Sequence, residues 1–231
     1  MNNSVTASGM AVTAKNSSGS LLIGTWVSNQ GTQDAPTTAS LRTAHTTSVN
    51  FGGAVEQLMP AQHATISSGD FISQYNNAGS WSYKIADAAN NYASSTGATT
   101  LSGLAGYVKV YDLWICIEAG SNTMENLKAN VTIQADGTTA EVRHATRVVV
   151  ATATAAEEYY NVHREGADTT DTEAHSIGTN VLCTTINEST LVPVKVFVYI
   201  DGEDNAVFTN NALNLTNTTI SIEFVATPVS N

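Results

Sequence analysis

The stretch Val192-Pro193-Val194-Lys195-Val196-Phe197-Val198-Tyr199-Ile200 decides the fold class. Val194, Val196, Val198 and Ile200 fall on one face of an extended chain, with Lys195, Phe197 and Tyr199 on the other, because strand side chains alternate with a period of two. A helical period of 3.6 would not separate these two sets. The branched residues are stiff at χ1 and suit a pleated, packed surface. Apolar side chains on both faces predict a strand covered from both sides.

The same signal recurs outward along the chain. Gly106 to Glu118 sets Val108 and Val110 against Tyr107, Tyr111, Leu113, Ile115 and Ile117, which predicts a central strand. Ser4 to Lys15, Leu21 to Val27, Trp81 to Ile85, Leu127 to Gln134, Glu141 to Thr152, Val181 to Ile186 and Thr219 to Thr227 read as further strands. Asp136-Gly137 between two such runs signals a hairpin. Helical signal is confined to Gly53 to Met59 and Thr154 to Tyr160, while 28–47 and 160–180 read as irregular. About eight to ten strands with little helix imply an all-β, jelly-roll-like β-sandwich, expected as a single domain over 1–231.

Composition narrows the function classes. Hydrophobic residues make up 42% of the chain, enough for a core, whereas charged residues are only 13%, about half the usual share. Thr, Ser and Asn must therefore supply the polar surface, as in many exported β proteins. Nine Lys+Arg against 20 Asp+Glu give a net charge of -11. Binding phosphate chains needs clustered cations, so nucleic acid is not an expected partner. No membrane span and no secretory leader are legible: the first twenty residues hold one Lys and no long apolar run.

Candidate chemistry is sparse. Cys116 and Cys183 lie in apolar strands, too far apart in sequence for a paired-cysteine zinc site; a disulfide and two buried free thiols are both open. Asp201, Glu203 and Asp204 form an acidic turn after Ile200, readable as a weak calcium site or as a polar turn carried by Asp201-Gly202. His45, His63, His144, His163 and His175 are scattered, and a three-histidine site from the last three is only conceivable. Phosphate loops and nucleophile elbows are missing from the pattern, so neither an enzyme nor a cofactor is expected.

Three stretches, in order, resemble the exported, signal-peptidase-W-dependent TasA/camelysin-like proteins. They are Val5 to Lys15 followed by Leu21-Leu22-Ile23; Arg143-His144-Ala145-Thr146-Arg147-Val148-Val149-Val150; and Val192 to Asp204 closed by Ile220-Ser221-Ile222-Glu223-Phe224, which resembles the C-terminal hairpin of that family. The resemblance implies a jelly-roll subunit of an extracellular filament or biofilm-matrix fibre, with its leader removed before Met1. It also implies that the N-terminal strand, within 1–15, is donated to the next subunit. Val5, Ala7, Met10 and Val12 are the expected assembly residues, and the partner is a second copy in a head-to-tail homopolymer. Two other readings compete. One is a secreted monomeric adhesin or glycan-binding module using Trp26, Trp81, Trp114, Tyr159 or Tyr160; the other is a viral jelly-roll structural protein.

Overall fold

The computed structural model describes residues 11–25, 35–51, 58–64, 71–84, 98–135, 145–153, 158–163, 181–202 and 218–230. These residues are mostly strand, arranged as two five-stranded sheets packed face to face with a small three-stranded sheet outside.

The first sheet runs β11 (Cys183–Ile186), β8 (Met124–Ala135), β13 (Thr218–Pro228), β1 (Ala11–Asn16), β3 (Ser48–Asn50). The second runs β10 (Glu158–His163), β9 (Thr146–Ala153), β12 (Val192–Ile200), β7 (Val108–Ile117), β2 (Leu21–Gly24). The strand read first, β12, is central, paired antiparallel with β7 and β9. Its two-sided hydrophobicity has a direct cause. Val194, Val196, Val198 and Ile200 enter the core between the sheets, while Phe197 and Tyr199 face a second apolar layer outside.

The core interdigitates Val12 and Ala14 of β1, Leu127 and Ile133 of β8, and Ile220, Ile222 and Phe224 of β13 with β7, β9 and β12. Burying each such Val, Leu, Ile or Phe is worth about 1.5–3 kcal/mol, offset largely by chain entropy. The β1–β2 corner is tied to β13 by Ser18, whose Oγ donates to the Ala226 carbonyl and accepts from the Ala226 N–H, both at 3.0 Å. Opposite that corner the β13–β8 register shifts between Val225 and Thr227, and Asn126 on β8 takes a left-handed φ of 56°, a conformation that asparagine tolerates.

Three expectations are corrected. β8 and β9, expected to be joined as a hairpin through Asp136-Gly137, belong to the first and the second sheet and do not pair with each other; Asp136 and Gly137 themselves lie outside the described residues. β12 and β13, read as a C-terminal hairpin, likewise belong to different sheets. Glu158–Tyr160, placed in a helical candidate, is strand β10. Of the other helical candidate, only Leu58 and Met59 are described, and they are not helical.

Two pieces cover the outer face of the second sheet. Helix α1 (Thr38–Ala44) arises within the stretch read as irregular. Thr37 caps it: its side chain accepts from the Ser40 N–H at 3.1 Å, and Ser40 Oγ accepts from the Thr37 N–H at 2.9 Å. This satisfies two orphan donors reciprocally. Leu41 of α1 packs on Leu22 and Cys116, over Gly24, where an added Cβ would stand 2.9 Å from Leu41 Cδ1. At the other end, β4 (Gln62–His63), β5 (Trp81–Lys84), β6 (Ala98–Thr100) and α2 (Phe71–Asn76) form the outside layer.

Candidate functional site: sheet rims and the covered outer face

A β-strand at a sheet rim carries unpaired N–H and C=O groups, so rims are where a second chain can add. In the first sheet one rim is β1 with β3. β1 runs parallel to β13, from Ala11 opposite Thr219 to Asn16 opposite Phe224. Its outer side meets β3 at Thr13, Ala14 and Lys15, and the flanking Phe51 and Thr47 bond to Val12 and Asn16. Val12 is 1% exposed and sits in this chain's own core. Within one copy Val12, expected as an assembly residue, therefore pairs and packs in its own sheet. Val5, Ala7 and Met10 lie outside the described residues.

The other rim is β8 with β11. β8 spans Met124–Ala135, but β11 pairs with it only through Leu127, Glu125 and Met124. Among the described residues, no strand lies beside Lys128–Ala135 on that side. Along this segment Ala129 and Ile133 are buried, Val131 is half-buried, and Lys128, Asn130 and Thr132 are exposed.

The expected calcium ligand Asp201 has a different occupation. It is 1% exposed, and its Oδ2 lies 2.9 Å from a guanidinium nitrogen of Arg147, itself 2% exposed at the side chain. A cation already neutralises this carboxylate, so Asp201 is not free for calcium. Glu203 and Asp204 lie outside the described residues. The pair sits where the outside layer joins the sandwich. Asp201 N–H donates to the Ala145 carbonyl at 2.8 Å, Ala61 N–H to Ile200 at 2.8 Å, and Gly202 N–H to Ala61 at 3.0 Å. Arg147 was legible only as part of a basic-then-apolar strand. The signal for its partner is a lone Arg inside an otherwise apolar run, which must find a counter-charge if buried.

Both cysteines are free, so the disulfide alternative is corrected. Cys116 belongs to the second sheet's outer face against α1, whereas Cys183 belongs to the core from the first sheet. Their side chains thus lie on opposite sides of the second sheet. Burial pushes the Cys116 thiol up, with the Arg42 charge and its hydrogen bond opposing. Arg42 itself clamps α1 to the sandwich, donating to the carbonyls of Ile117 at 2.9 Å and Glu188 at 2.7 Å.

Of the aromatic platform expected of a glycan-binding module, the side chains of Trp81 and Trp114 are described. Trp81 is 1% exposed, its indole N–H donates to the Tyr75 carbonyl at 2.9 Å, and its ring meets Tyr199 edge-on at 4.8 Å. Tyr75 stacks on Phe197 at 5.2 Å. Trp114 is half-buried beside Leu22, Leu41 and Cys116. Two residues before it on the same outward face, Asp112 pairs with Lys195. Trp26 and the side chains of Tyr159 and Tyr160 lie outside the described residues, as do His144, His175 and the His163 side chain. His45 Nδ1 faces the Arg42 carbonyl at 2.8 Å. Among the described residues no group of three or more His, Cys, Asp or Glu could hold a metal ion, and no helix is long and apolar enough to cross a membrane.

No protein-family model, no curated protein and no solved structure matches this chain.

Proposed function

We propose that this protein is a structural subunit of an extracellular filament or matrix fibre, joined head to tail by addition of the N-terminal segment 1–10 of one copy to the first sheet of the next. The observation that carries the reading is the β8 rim, where Lys128–Ala135 has no neighbouring strand on one side among the described residues. That rim alternates exposed side chains with buried or half-buried ones from Lys128 to Ile133. Segment 1–10 is of matching length and, side chains being mostly small and uncharged, can lie along it. Each backbone hydrogen bond gained is worth about 0.5–1.5 kcal/mol net. Such an addition does not close on itself, and so gives an open fibre. Since β1 keeps Val12 in its own core, the donated part ends before Ala11. The strand order β1–β13–β8–β11 facing β7–β12–β9–β10 supports a jelly-roll reading, with β1 departing from it by running parallel to β13.

Negative-stain microscopy and light scattering of the concentrated chain test the proposal, beside a variant lacking Met1 to Met10. Fibres are expected from the full chain, and a folded monomer with unchanged thermal midpoint from the truncation. A full chain that stays monomeric, or a truncation that still polymerises, refutes it.

A further inference from the structure

We infer that His63 is held as an imidazolium and staples the outside layer together, so that the docking of this layer is pH-dependent. His63 ends β4 and is 8% exposed. Its Nδ1 faces the Ala64 carbonyl oxygen at 2.6 Å and its Nε2 faces the Gln74 carbonyl oxygen of α2 at 3.2 Å. A neutral imidazole carries one N–H, whereas the cation carries two. In either neutral tautomer one ring nitrogen would set its lone pair against a carbonyl oxygen, away from water. Only the cation donates to both.

The surroundings favour the charge as well. The Tyr75 ring of α2 stacks at 4.5 Å, tilted by 30°, and Trp81 of β5 stands at 4.7 Å and 84°. Aromatic faces attract a cation directly. Burial opposes protonation, and donation to two carbonyl oxygens close to the ring nitrogens favours it. Among the described residues, the titratable groups facing this cluster are Tyr75 on α2 and, behind Trp81, Tyr199 on β12. Among the same residues, the charged groups at this end of the layer include Arg147 and Asp201, paired with each other where Ala61, two residues before His63, bridges to Asp201. Neither tyrosine ordinarily ionises below about pH 10, so of these His63 is the group that changes between pH 5 and 9.

The fold therefore binds this proton more tightly than the unfolded chain does. Its contribution is complete below about pH 6.5, where a free imidazole is protonated, and is lost as pH rises through the higher value in the fold. Long-range proton–nitrogen NMR of the full chain reads the ring directly: a doubly protonated His63 is expected at pH 7, and a single neutral tautomer at pH 7 overturns the inference. Thermal midpoints of wild type and His63→Phe, which keeps the ring stacking, supply the second readout. The gap between them should be widest at pH 5.5 and shrink by several degrees at pH 8.5. A gap that is constant or widens with pH overturns it.

Discussion

Removing the carboxylate of Asp201 should be among the most damaging single changes to the described structure. Asp201 and Arg147 are 1% and 2% exposed at their side chains and meet at 2.9 Å. Asp201→Ala removes this counter-charge from the buried guanidinium. Breaking a buried pair from one side costs about 3–5 kcal/mol. For a domain of this size each kcal/mol moves the midpoint by about 2–4 °C, so the expected fall is about 6–20 °C. Arg147→Met should cost a similar amount, because it strands the carboxylate instead. The double variant Arg147→Met/Asp201→Ala removes both charges and should cost less than either single change, since desolvation of the pair consumes most of its Coulomb gain. Urea and thermal unfolding of the four proteins, read by tryptophan fluorescence, complete the cycle. A loss below about 1 kcal/mol for Asp201→Ala, or a double variant equal to the sum of the singles, refutes the reasoning. Calcium at millimolar concentration should leave the wild-type midpoint in place; a rise would show that the carboxylate serves a metal instead.

Two further outcomes follow from buried titratable groups. Tyr111, 8% exposed and 4.4 Å from the Phe51 ring, has its phenol pushed up to about 12 by burial. Because the unfolded chain loses that proton near pH 10, stability should fall between pH 10 and 12, by about 2–3 kcal/mol in all. Tyr111→Phe should flatten this fall, as absorbance-monitored alkaline unfolding would show. Cys116 and Cys183 are buried free thiols, and the first is held back from ionising by burial. A thiol reagent at pH 8 should label neither within minutes in the native protein and both in denaturant, while a reducing agent should leave the thermal midpoint unchanged. Rapid native labelling or a midpoint lowered by reductant would contradict this.

Period-two alternation determined the main strands by itself. Val194 to Ile200, Leu113 to Ile117 and Ile220 to Phe224 could hardly be anything but strands, and their faces could be listed from sequence because strand geometry is local. The capping box at Thr37 and Ser40 is equally local, but the Thr- and Ala-rich surroundings concealed it and α1 with it. Pairing was not legible. Asp136-Gly137 looks the same whether it turns a chain back within one sheet or carries it across to the other. That choice rests on which apolar faces find each other over long sequence separations, as Ala11 finds Thr219. The same distance in sequence hid the site chemistry. Arg147 lies on β9 and Asp201 just after β12, and the Gln74 carbonyl reaches His63 from helix α2. Burial and mutual approach, created only when the sheets close, turn those isolated residues into an ion pair and a proton-holding staple.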